Sequence, residues 1–290
     1  MRYNGGIKAK EDKMRQLLAF LCVLCVLLTS KVDHTIGEEG VDVPIDDGTV
    51  EVTDGVATLP PPASTTTEAT TAPPPTEENP RNEVLICLDA GHGLIDPGAV
   101  ATQNGTAVYE KDLNLRVALL TQARLEAMGY RVLMIRTGDT SLLGGSDRGA
   151  SYKTTNEAIA RRELAKKAGV SLYISVHCNA YAGENRAYGP LVFYNSSSAT
   201  TYRALSLSRT FSARFTELNR GYSGAKDCEV RAGDSYIVLR ELSMPALLLE
   251  LGFMTDKSDL ALLTSDTWQK GCADAIAKGV EDAFLAGLIE

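Results

Sequence analysis

Apolar positions along this chain alternate between short continuous runs and stretches of helical period, and the alternation begins only near residue 84. "EVLICLDA" (83–90) is an apolar run of strand length that closes on an acid and a small residue. In "EKDLNLRVALLTQARLEAMG" (110–129), Leu113, Val117, Leu120 and Met128 recur on one helical face and Gly129 supplies a stop. "YRVLMIRT" (130–137) is the next strand, "NEAIARRELAKKAG" (156–169) a helix, "VSLYISVHCNA" (170–180) a third strand and "GPLVFYN" (189–195) a fourth. Ala204, Leu207, Phe211 and Phe215 align on a helix through "TYRALSLSRTFSARFTEL" (201–218). "SYIVLRE" (235–241) and "PALLLELGF" (245–253) are strands, and a last helix runs through "SDTWQKGCADAIAKGVEDAFLAG" (265–287). This order, without internal repeats, predicts a single α/β domain: a mostly parallel twisted sheet covered by helices on both faces.

The first eighty residues do not share the pattern. Lys8, Lys10, Lys13 and Arg15 precede an apolar run from Leu17 to Leu28. A basic start followed by a short apolar stretch is an export signal. The run is shorter than the ~20 apolar residues of a spanning helix, and no A-x-A cleavage site follows it. Residues 1–30 are therefore a signal peptide or an uncleaved signal anchor, with residues 17–28 the segment that would hold the chain to a membrane. Lipid modification of Cys22 or Cys25 is a third option. Residues 31–80 hold eleven Asp or Glu, one Lys and the tract "LPPPASTTTEATTAPPPTEENP". Such a composition buries too little apolar surface to offset ordering entropy. It predicts a disordered acidic Thr/Pro-rich linker, a semi-rigid spacer of the kind that spans a cell wall. The folded domain is then 81–290, outside the membrane.

Charge changes the picture little. Residues 1–80 carry 13 of the 37 acidic and 6 of the 29 basic side chains, which leaves 24 against 23 from residue 81 onward. A nearly neutral domain does not read as a nucleic-acid surface. Cys87, Cys178, Cys228 and Cys272 follow the signal without a C-x-x-C pair, so they do not predict a cysteine zinc cage. Cys87 and Cys178 lie in strand runs and read as buried small hydrophobes, not as a disulfide.

The domain has two histidines, His92 and His177, each just past an apolar strand. Sites in open α/β sheets form beyond the carboxyl ends of strands. Glu110 opens the helix after the first strand, and Glu250 ends the run "PALLLE". Two His and one carboxylate with an open fourth position is the ligand set of a catalytic zinc hydrolase. A separate buried carboxylate then serves as base. Each residue also has a plainer reading. A strand-end His is commonly hydrogen-bonded structure, Glu110 complements a helix dipole, and Glu250 pairs with an arginine. His34 falls in the linker and is set aside.

Motif by motif, residues 84–287 resemble the zinc-dependent N-acetylmuramoyl-L-alanine amidases of the cell-division and spore-cortex type. "LDAGHGLIDPGAV" resembles the family's first metal motif, "YEKDLNL" its second, "SVHCNA" its third and "PALLLELGFMTDKSD" its catalytic-Glu motif. The resemblance implies zinc ligands at His92, Glu110 and His177, a catalytic base at Glu250, and substrate contacts from Arg240 in "YIVLR" and Asn179 in the third motif. It implies a monomer that hydrolyses the amide between N-acetylmuramic acid and L-alanine in peptidoglycan. Two rival expectations are another exported zinc peptidase or deacetylase, and a wall-binding module without catalysis. Three positions depart from the family. Cys178 stands where a small Ala is common, predicting an oxidation-sensitive site. Lys166 replaces a frequent Asn. "LLGGSDRGASYKTTNE" (142–157) is extra sequence before Arg161, which matches the family's Arg in that helix. No long inhibitory helix is inserted between the His177 and Glu250 motifs.

Overall fold

Strand β1 (Leu85–Ala90) is buried from Ile86 to Ala90, so it must have neighbours on both edges. In the computed structural model these are β4 (Arg131–Met134) and β5 (Leu172–Asn179), both parallel to it. The structure describes residues 79–144, 154–183, 186–197 and 200–290. The expected signal, nearly all of the linker, and residues 145–153 of the extra stretch lie outside the described residues. Beyond β5 comes parallel β8 (Ala246–Phe253), buried along its whole length. β6 (Leu191–Tyr194) runs antiparallel to β8, and β7 (Glu229–Ala232) parallel to β6. The order is β4-β1-β5-β8-β6-β7. Its central strands read as continuous apolar runs because both faces are covered.

Among the described residues, three of the five α-helices cover one face: α1 (Glu110–Ala127), α3 (Thr201–Asn219) and α5 (Asp266–Leu285). Their Val117, Leu125, Phe211, Phe215, Trp268 and Ile276 pack on Ile86, Leu88, Ile174, Val176 and Leu249. The opposite face is covered by α2 (Thr154–Ala168) and a 3-10 turn at Ile237–Leu239, which pack on Tyr173, Phe193 and Leu248. A short α4 (Lys257–Leu263), capped by Asp256, leads into α5, capped by Ser265. Among the described residues no helix is long and apolar enough to cross a membrane.

Four details correct the sequence pattern. "SYIVLRE" forms the 3-10 turn and not a strand; Val238 and Leu239 are buried there, and a short apolar run does not reveal its own conformation. The inward row of α1 runs through Leu113, Asn114, Val117, Ala118, Thr121 and Leu125, leaving Leu120 and Met128 half-buried at its margin. Small and polar residues on that row blur its period. β7 and α4 are elements the pattern does not announce. So is a hairpin of β2 (Val100–Gln103) and β3 (Thr106–Tyr109), turned at Asn104 and Gly105 with φ of 52° and 79°. Asn-Gly in "QNGT" is the signal that could have found it. All four domain cysteines are buried and free.

Candidate metal centre

The chain leaves β1 through a glycine-flanked turn. Gly91 N donates to Val176 O at 2.9 Å, prolonging the β1–β5 ladder by one residue. His92 then adopts φ 63° and Gly93 φ 138°. The left-handed region costs a non-glycine residue about 1 kcal/mol, so the surroundings must hold His92 there. Two glycines make room for the side chains that follow. A Cβ on Gly91 would lie 2.1 Å from His177 Cε1, and one on Gly98 would lie 2.5 Å from Glu110 Oε2 and 2.7 Å from His92 Cδ2. The hairpin returns the chain to the same strand ends, where Glu110 is the first residue of α1. His177 arrives on β5.

The three side chains meet. Glu110 Oε1 lies 3.1 Å from His92 Nε2 and 3.0 Å from His177 Nδ1. The imidazoles stand edge to face, 4.9 Å apart at 80°. One ligand atom from each residue falls within 4.8 Å of the others. Both imidazoles reach solvent, at 24% and 18% side-chain exposure, while Glu110 is buried. Two imidazole nitrogens and a carboxylate, open on one side, fit a catalytic zinc and its three-ligand chemistry. Partners outside the group hold His92 and Glu110. His92 Nδ1 is 2.9 Å from Asp96 Oδ2, which leaves Nε2 facing the group. Glu110 Oε1 accepts from Cys178 N at 3.1 Å and Asn114 Nδ2 at 3.2 Å, and Oε2 accepts from Ala99 N at 2.8 Å. Burial opposes the Glu110 charge, but the His92 and His177 imidazoles hold its carboxyl well below the usual range.

Glu250 stands beside this group without belonging to it. It pairs in register with His177 across β5 and β8, is 6% exposed, and its buried Oε2 has no hydrogen-bond partner. Burial first, then the Glu110 charge, pushes its pKa well above the carboxylate range. Among the described residues, Glu250 Oε2 and Asn114 Oδ1 are the buried side-chain oxygens without a hydrogen-bond partner.

The remaining expectations fall differently. Asn179 lies at the end of β5, half-buried, with Oδ1 accepting from Ala180 N at 2.8 Å. Arg240 is not brought into the group: its guanidinium donates to Asp234 O at 2.9 Å and Ser235 O at 2.7 Å, ahead of the amino end of β8. Cys178 corrects the expected oxidation sensitivity. Its backbone N–H faces Glu110, its sulfur is buried in the apolar core, and burial pushes the thiol far above the range in which a thiolate forms. Asp96, Asn114 and Arg136 are contributors that strand-end reasoning misses. Arg136 donates to Ala90 O at 2.8 Å and Gly91 O at 2.9 Å, bracing the turn that carries His92.

Comparison with known proteins gives a consistent picture. A family model described as N-acetylmuramoyl-L-alanine amidase matches residues 86–282. A germination-specific N-acetylmuramoyl-L-alanine amidase of Bacillus subtilis is 29% identical over 201 residues, covering 69% of this chain and 80% of that protein. A sporulation-specific N-acetylmuramoyl-L-alanine amidase of the same organism is 31% identical over 206 residues, covering 69% and 68%. Among solved structures, the CwlD amidase of Clostridioides difficile, in complex with the GerS lipoprotein, aligns with a TM-score of 0.61 at 28% identity, covering 70% of this chain and 99% of that one.

Proposed function

This chain belongs to the N-acetylmuramoyl-L-alanine amidase family, and from that premise we propose that it hydrolyses the muramoyl–L-alanine amide of peptidoglycan with a zinc ion held by His92, Glu110 and His177 and with Glu250 as the base. Zinc bound there would lower the pKa of a water and polarise the scissile carbonyl. Glu250 takes a proton from the attacking water and returns it to the departing amine of L-alanine. Its burial suits this exchange, because desolvation and the Glu110 charge raise the proton affinity of the carboxylate that must accept the water's proton. The observation that carries the reading is the unpartnered Glu250 Oε2 in register with His177. Asn179, one residue past Cys178, is the proposed contact for the stem peptide. Arg240, exposed and bonded through Nε and Nη2 to two backbone carbonyls, keeps N–H donors for substrate and is the second proposed contact. Export by the basic-then-apolar start, with residues 31–80 as spacer, would put the enzyme at its wall substrate.

The test is a digest of purified peptidoglycan by the full chain, analysed by mass spectrometry. The expected product is a new free L-alanine amino group with intact glycan, lost with chelator and restored by zinc. Cleavage within the peptide, or deacetylated glycan with the muramoyl amide intact, would favour a peptidase or deacetylase instead.

A further inference from the structure

Arg161 of α2 lies on the sheet face away from α1 and is 4% exposed. Nη1 donates to Asp89 Oδ1 at 2.7 Å and Ala90 O at 2.8 Å, and Nη2 donates to His92 O at 2.7 Å. Glu157, one turn earlier, is 3.2 Å from Nη2. Asp89 is completed by the Tyr173 hydroxyl and by Ser175 Oγ at 3.1 Å. Asp89 and Glu157 balance the buried guanidinium. Neither they nor the strand pairing require the bond to His92 O. That carbonyl belongs to a residue at φ 63°, a conformation sustained only where the surroundings over-determine it. Two backbone bonds between Gly93 and Asp96, 2.9 and 3.1 Å, close the far side of the turn. Arg161 closes the near side. Its fork reaches Asp89 and His92 O at once, which the single ammonium of a lysine does not reproduce.

We infer that Arg161 is a positioning residue for the metal centre. By holding the His92 carbonyl it maintains the left-handed turn that aims the imidazole at Glu110 and His177. The inference rests on His92 being a metal ligand, as proposed above. If Arg161 served only to neutralise Asp89, its loss would lower stability and leave metal affinity alone.

Zinc affinity of the full chain, measured by competition with a chromogenic chelator, separates the two. Arg161→Lys keeps a positive charge for Asp89 but gives up the fork. It should bind zinc ~10–100-fold more weakly, the scale on which residues behind metal ligands act. Tyr173→Phe removes a bond to Asp89 without touching His92, and should lose thermal stability at unchanged zinc affinity. Should Arg161→Lys fail to fold, Asp89→Asn with Arg161→Gln removes both buried charges together and should show the same weakened affinity. A folded Arg161 variant of wild-type affinity overturns the inference. So does failure of both variants to fold, which would assign the cluster to the fold alone. A wild-type chain that takes up no zinc overturns the ligand reading, and this inference with it.

Discussion

The imidazole of His177 occupies the space a side chain on Gly91 would need: a Cβ there would lie 2.1 Å from Cε1 and 2.3 Å from Nε2. Strand β1 ends on glycine because the His177 imidazole from the neighbouring strand lies across it. Gly91→Ala must displace His177 or the backbone. Overpacking of this kind costs roughly 1–3 kcal/mol, and here it falls on a proposed ligand. Zinc content after dialysis should drop well below that of the wild type while circular dichroism shows a folded chain. Gly138→Ala, where a Cβ meets nothing within 4 Å, should keep its zinc. Full zinc in Gly91→Ala would refute the steric account.

Asp96 holds His92 by its Nδ1, 2.9 Å away. Removing such a partner should cost ~10–100-fold in metal affinity. Asn retains an acceptor oxygen without the charge, so zinc affinity should fall in the order wild type, Asp96→Asn, Asp96→Ala. Equal affinities in a chelator titration would show that the bond does not orient the ligand.

Burial of Glu250 lowers stability as its carboxyl ionises. In an unfolded chain its carboxyl ionises near about pH 4.3; in the fold, burial and the Glu110 charge raise it well above that. The folded state therefore binds the proton more tightly. Between the two pKa values stability falls as pH rises. Glu250→Gln has no such proton to lose. With chelator present, the Tm of Glu250→Gln minus that of wild type should grow as pH rises above the unfolded carboxyl's pKa of about 4.3. A difference that shrinks with pH would mean the carboxylate is stabilised where it lies.

Much of the architecture was legible because buried strands announce themselves as continuous apolar runs and glycines mark helix stops. His92, His177 and Glu250 stand out because each follows or ends such a run, and Glu110 because it opens the helix that follows the first strand. The hairpin did not, since its strands are short and largely exposed. Nor did β7, an edge strand reading "EVRA". The roles of Asp96, Arg136 and Arg161 were hidden for another reason. Each acts on a backbone carbonyl or a ring nitrogen of the turn Ala90–His92, whose placement a linear sequence does not display. Arg240 stands out only by its place in a motif; its guanidinium bonds to Asp234 O and Ser235 O show how the side chain is held, not what it binds.

The division of labour at the centre is tested most directly by the rate at which Glu250→Gln releases free L-alanine amino groups from purified peptidoglycan, at a zinc content matched to wild type. Glu250 is outside the ligand group and keeps an unpartnered buried oxygen. The substitution should therefore retain zinc and fold while hydrolysis falls ~10²–10⁴-fold, the scale of a lost general acid–base group. Glu110→Gln should instead lose zinc first. Wild-type turnover by Glu250→Gln, or loss of its zinc while Glu110→Gln keeps zinc, would contradict the assignment of base and ligand.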